Sequence, residues 1–172
     1  TDVLPPLKLE GSWRVTFPPD SGAPPEIMLE ELISLHKHPD ERIKYFSGTA
    51  TYHKTFNLTE EYFRNDRRLY LDLGKVENIA EVVLNGKALG ILWKSPFIID
   101  ITDAAKIGEN KLEIKVTNVW VNRLIGDEQH PPEYEYKPRG FRWMGRGIKK
   151  IPEWFTRGEP KPPSKRAVSY TH

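Results

Sequence analysis

Between Ser12 and Val121 the apolar residues recur at every second position in one short segment after another, and no other feature of the chain constrains its fold as much. Trp13, Val15 and Phe17 alternate with Arg14 and Thr16. Ala50, Tyr52, Phe56 and Leu58 share one parity, with Thr49, Thr51, His53 and Thr55 on the other. Leu69, Leu71 and Leu73 alternate with Tyr70 and Asp72, and Leu112, Ile114 and Val116 alternate with Lys111, Glu113, Lys115 and Thr117. A period of two with one apolar face is the pattern of antiparallel strands covered on one side.

The punctuation between these segments agrees. Asn85-Gly86 separates Val82-Val83-Leu84 from Leu89-Gly90-Ile91-Leu92. Both residues tolerate the positive φ that a two-residue type I′ hairpin requires. Gly108-Glu109-Asn110 marks another turn before a strand, and Asp103–Lys106 suits a single helical turn capped by Thr102 or Asp103. Glu26–Leu35 fits neither period cleanly. No long amphipathic helix separates the strands, which argues against a parallel βαβ sheet and for an all-β antiparallel sandwich or jelly roll.

From Pro131 the texture changes. Seven prolines and four glycines fall between residues 131 and 163, which predicts a long irregular C-terminal arm. The expected organisation is therefore a β-sandwich over residues 1–130, with residues 131–172, a Pro/Gly-rich basic arm and final strand, packed on it. The aromatics Phe141, Trp143, Trp154 and Phe155 argue that the arm is ordered, with Trp154 and Phe155 anchored on the sandwich. Charge is divided in the same way: residues 137–172 carry 10 Lys/Arg against 2 Glu, and the first 136 carry 16 against 22. At 172 residues, 38% hydrophobic and 29% charged, the chain can bury a core, and no apolar run approaches a membrane span. The absence of cysteine excludes disulfides, thiolate metal sites and a Cys nucleophile. The opening residues lack a signal-peptide pattern and the closing ones read as a strand, which predicts a piece cut from a longer polypeptide.

The central stretch resembles a known family. Tyr45–Phe56 (YFSGTATYHKTF) is similar to the entry strand of the galactose-binding-like, sugar-binding jelly rolls of family 2 glycoside hydrolases. LYLDLG (Leu69–Gly74), EVVLNGKALG (Glu81–Gly90), SPFIIDIT (Ser95–Thr102) and GENKLEIKVTN (Gly108–Asn118) follow in that family's order and spacing. Trp120–Asp127 (WVNRLIGD), Leu92–Phe97 (LWKSPF) and Ile151–Phe155 (IPEWF) resemble the C-terminal region of bacterial α-L-rhamnosidases of glycoside hydrolase family 106. In such enzymes a separate barrel carries the catalytic carboxylates. The resemblance therefore implies a non-catalytic accessory domain, whose partners are the catalytic domain of the same polypeptide and a glycan. It also implies a periplasmic or extracellular bacterial location.

Sugar binding calls for an aromatic face to stack on a pyranose and for polar groups to meet its hydroxyls. The candidates near the loop ends are Trp93, Asn118, Trp120, Asn122, Arg123 and Asp127. Trp93 and Trp120 suit core or inter-domain packing equally, and Asn122 and Asp127 suit loop capping. Glu133 and Glu135 have the separation of a glycosidase pair, but a proline-rich loop is no rigid scaffold for one, so no catalytic residue is expected. His36 and His38 with Asp40 and Glu41 have metal-like spacing but lack further ligands at a recognisable distance, so no cofactor is expected, with room left for a structural calcium. The cations and aromatics interleaved over Arg139–Lys150 resemble a single-stranded nucleic acid platform and also an arm docked on an acidic domain. The second reading is preferred, with no nucleic acid partner and no membrane insertion. A stand-alone lectin-like module and a purely structural spacer are the alternatives, the spacer predicting an exposed apolar patch.

Overall fold

The computed structural model describes residues 4–118, 125, 135–136, 148–150 and 153–157. The alternating segments become eight strands: β1 (Trp13–Thr16), β2 (Glu26–Leu29), β3 (Thr49–Leu58), β4 (Tyr70–Asp72), β5 (Ile79–Leu84), β6 (Lys87–Leu92), β7 (Ile98–Asp100) and β8 (Gly108–Thr117). Six of them form one sheet in the order β2-β1-β3-β8-β5-β6, and β4 and β7 pair in a second. Every pairing is antiparallel. The two sheets pack face to face as a jelly-roll sandwich, the expected class. A short ribbon of β9 (Glu135–Tyr136) with β10 (Ile148–Lys150) and the helical turn Glu153–Thr156 belong to the arm. The side chains of Trp154 and Phe155, and most of the arm, lie outside the described residues.

The parity read from the sequence decides what is buried. Ala80, Val82 and Leu84 of β5 and Leu112 and Ile114 of β8 face inward. They meet Ile101, with Leu69, Leu71, Leu73 and Ile99 from the second sheet. Burying a side chain such as Leu84 or Leu112 contributes about 1.5–3 kcal/mol. A second cluster of Val15, Phe17, Leu29, Ala50, Phe46 and Ile43 fills the β1–β2 end. There the single turn α1 (Glu41–Lys44), capped by Asp40 accepting from the Arg42 N–H, delivers Ile43, and the Phe17 and Phe46 rings meet edge to face at 4.9 Å. Tyr52 packs against both clusters, and burial pushes its phenol up to about 12.

Lys54 is the exception to the alternation, since its parity points it at the core. Its stem lies beside Trp13, with the ammonium 5.5 Å from the ring centroid, and it donates to the backbone carbonyls of Glu10 and Ser12. The ambiguous Glu26–Leu35 resolves into strand β2, with Met28 exposed opposite Arg14, followed by a loop and a 3-10 turn at Leu35–Lys37. Its apolar residues fit no period because they belong to three different local structures.

One buried polar network organises the far end of the sandwich. Asn110, fully buried, donates to the carbonyls of Lys106 and Gly108 and accepts from the Lys106 N–H and the Asn85 side-chain amide. Asn85 in turn donates to the Ala104 carbonyl and accepts from the Lys111 N–H. The hairpin turn and the loop ahead of β8 are thus tied through two side chains. Asn85 and Gly86 have φ of 53° and 81°, the double positive value of a type I′ turn.

Two stability predictions follow from this end. Asn110→Ala leaves the backbone groups of Lys106 and Gly108 without their buried partner and lowers unfolding free energy by about 3 kcal/mol, measured by urea denaturation. A loss below about 1 kcal/mol would mean that water replaces the amide at no cost. At Gly86 nothing lies within 4 Å of an added Cβ, so Gly86→Val costs only the backbone strain of a β-branched residue at positive φ, about 1–2 kcal/mol. An unchanged melting temperature would show that the turn relaxes to another type.

Candidate functional site

The β3–β8–β5–β6 registers align one end of the large sheet. Thr49 pairs with Thr117, Thr117 with Ile79, and Ala80 with Leu92, so Trp93 follows β6 at the same edge. Successive strands lie about 4.8 Å apart, which puts the backbone of Trp93 about 10 Å from that of Thr117. Ala80 faces the core, so Ile79 and Ile91 project outward from the sheet with exposures of 44% and 62%. Trp93 is 69% exposed, and the Lys94 ammonium sits 5.3 Å from the centroid of its ring. The connection then turns inward to the buried Phe97, with the Ser95–Pro96 peptide cis. The result is an apolar strip with an indole at its tip on an edge strand.

Asn118 lies at the same end and has a different task. Its side-chain oxygen accepts from the Gly48 N–H at 2.8 Å and its amide donates to the Phe46 carbonyl at 2.7 Å. Its own N–H donates to the Gly48 carbonyl. The residue clasps the turn ahead of β3 across 70 positions of sequence, beside the hydroxyl pair Thr49–Thr117 at 2.8 Å. Of the six residues expected to contact sugar, Trp93 and Asn118 are thus at one end of the sheet, about two strands apart. Trp120, Asn122, Arg123 and Asp127 lie outside the described residues, as does Glu133. The apolar companions of Trp93 were legible in principle: once Ala80, Val82 and Leu84 face inward, parity sends Ile79 outward.

The remaining polar clusters have local partners. His36 Nδ1 lies 2.8 Å from the Ser34 hydroxyl and His38 Nδ1 accepts from the Asp40 N–H. Among the described residues no three His, Asp or Glu side chains converge as a metal site. A shallow depression of about 430 Å³ between Phe63, Arg67, Arg68, Asp100, Thr102 and Asp103 closes the end of the small sheet. There Arg68 pairs with Asp100 at 3.5 Å, and hydrogen bonds from the Thr102 hydroxyl and N–H hold the Asp100 carboxyl below its usual range. Asp40 is likewise held low, chiefly by its hydrogen bond from the Arg42 guanidinium. A general acid requires a carboxyl shifted the other way.

Residues 34–157 match the family model described as glycosyl hydrolase 2 galactose-binding domain-like. A Formosa agariphila protein provisionally named as a beta-glucuronidase is 48% identical over 157 residues, covering 91% of this chain and 13% of the relative. Among solved structures, the rhamnosidase from Novosphingobium sp. PP1Y superimposes with a TM-score of 0.68 at 43% identity, covering 77% of this chain and 13% of that one. An uncultured Clostridium sp. beta-glucuronidase superimposes with a TM-score of 0.55 at 25% identity, over 69% of this chain and 24% of its own. The chain spans about an eighth of the length of the first two.

The two described candidates separate by stability. Trp93→Ala, at an exposed position, changes unfolding free energy by less than about 0.5 kcal/mol. Asn118→Ala leaves the buried end of the clasp without its bridge and costs about 1–3 kcal/mol. Equal losses in urea melts would contradict this division between display and support.

Proposed function

The chain belongs to the glycosyl hydrolase 2 galactose-binding domain-like family, and from that premise we propose that it is the non-catalytic, glycan-contacting accessory domain of a larger glycoside hydrolase of the α-L-rhamnosidase type. The observation that supports this reading is one of proportion: nearly the whole chain aligns to an eighth of a relative, which leaves most of such a polypeptide to carry hydrolysis. Trp93 supports the glycan contact. An indole held at the end of a hydrogen-bonded edge strand offers a flat apolar surface to a pyranose without ordering a loop first. The larger protein's partners would then be its own catalytic domain and an extracellular or periplasmic polysaccharide.

The strip of Ile79, Ile91 and Trp93 also favours a second reading, in which the same surface packs on a neighbouring domain and the module is a spacer. Titration of the chain with rhamnose- and glucuronate-containing oligosaccharides, followed by calorimetry, separates the two. The accessory reading expects weak binding, with Kd on the order of 1 mM, that Trp93→Ala abolishes. No binding to either sugar class would favour the spacer. Turnover of aryl rhamnosides or aryl glucuronides by the isolated chain would overturn both.

A further inference from the structure

Core packing decides the outer face of the second sheet as well. Leu69, Leu71 and Leu73 turn into the principal cluster, as do Ile99 and Ile101. Parity therefore sends Arg68, Tyr70 and Asp72 outward, together with Ile98 and Asp100. Tyr70 is 57% exposed and Ile98 42%, so an aromatic ring and an aliphatic side chain meet solvent among charged groups. The register sets Tyr70 directly opposite Asp100, with Cβ atoms about 5 Å apart, and Ile98 on the diagonal at about 7–8 Å.

The polar groups on this face are held in place and only partly used. Asp100 accepts from the Thr102 N–H at 2.9 Å and from the Thr102 hydroxyl at 2.6 Å, both through Oδ1. Its Oδ2 faces a guanidinium nitrogen of Arg68 at 3.5 Å, longer than a good charge-assisted hydrogen bond, and both side chains remain exposed. The Tyr70 hydroxyl and then Asp100 hold the Arg68 guanidinium above its usual range, so the three groups act on one another. A group that bridges Oδ2 and the guanidinium must donate to the first and accept from the second. One hydroxyl does both, whereas a carboxylate only accepts and an ammonium only donates. Across a 3.5 Å gap a hydroxyl oxygen can stand about 2.8 Å from each side.

We propose that this face binds a single neutral pyranose, its ring on Tyr70 beside Ile98 and one of its hydroxyls bridging Asp100 and Arg68. The sugar is uncharged because the face carries one cation against two carboxylates, Asp72 being the second, and a uronate would add a third negative group. Little has to be ordered on binding, since Tyr70 and Asp100 stand on paired strands and Thr102 fixes the carboxyl. The assignment does not rest on a glycan contact at Trp93, which follows a strand of the other sheet. A flat face with one ring holds one sugar weakly, with Kd on the order of 10 mM, so calorimetry at millimolar oligosaccharide reads the Trp93 contact and not this one.

Amide NMR on the full chain tests it, with methyl α-L-rhamnopyranoside and methyl β-D-galactopyranoside as neutral probes and methyl β-D-glucuronide as the charged one. At least one neutral glycoside should shift the Tyr70 and Asp100 amides along a saturable curve, and the glucuronide should bind there at least about 5-fold more weakly. Tyr70→Ala should weaken the neutral probe at least about 10-fold, and Tyr70→Phe, which keeps the ring, by less than about 3-fold. Asp100→Asn keeps an oxygen for Thr102 and removes the charge, and should cost at least about 5-fold. Amide spectra unchanged away from the substitution establish that each variant is folded. Saturable shifts confined to the surroundings of Trp93 would overturn this site and leave the accessory reading standing. No saturable shift at Tyr70 and Asp100 with either neutral glycoside would also overturn it. So would glucuronide binding as tight as the neutral probe's, or binding kept in Tyr70→Ala or Asp100→Asn.

Discussion

The ladder between β3 and β8 is the constraint on which the rest of the domain depends. Ten consecutive pairs run from Thr49–Thr117 to Leu58–Gly108, in the middle of the six-stranded sheet. Because side chains alternate, a slip of one residue would turn Ala50, Tyr52 and Phe56 outward and bring Thr51, His53 and Thr55 into the core. The register is thus fixed by the apolar pattern along its whole length. It is also locked at both ends by asparagines: Asn118 clasps Gly48 and Phe46 beyond one end, and Asn110 gathers Lys106 and Gly108 at the other. Everything between β3 and β8 in sequence is inserted into a frame closed by contacts about 70 residues apart.

That frame explains why the fold was legible and parts of the site were not. Period two, an Asn-Gly hairpin and the lack of crossover helices reflect local backbone rules, and β5–β6 with its two positive φ values followed them. The motif order carried the family as well, which the match over residues 34–157 shows. Side-chain tasks are set by tertiary neighbours, and there single residues escaped the pattern. Gly108-Glu109-Asn110 read as a turn, yet its asparagine is a fully buried hub. Lys54 has core parity and survives there only because its ammonium reaches two carbonyls at the rim.

Asn118 illustrates the same limit at the candidate site. An asparagine at a strand end beside aromatics has the chemistry of a sugar ligand, and composition cannot tell that from a backbone clasp. The geometry shows both ends of its amide already engaged by backbone groups. Trp93 was ambiguous between stacking and burial for the converse reason, since only the position of the core decides which way an edge residue faces. Leu92 packs inward against the principal cluster, and Trp93 is directed to solvent as a consequence.

Support and display are therefore divided at one end of the sheet. The clasp, the threonine pair and the half-buried Leu92 tie the end down, and Ile79, Ile91 and Trp93 project from it toward solvent. A flexible aromatic would lose side-chain and loop entropy on meeting any flat partner, whether a pyranose or a neighbouring domain. One attached at the tip of an edge strand has already had its backbone entropy removed during folding, at the expense of the core rather than of the contact. Such an arrangement suits an accessory domain, because weak individual contacts become useful when the module is joined to a catalytic domain that supplies a second point of attachment.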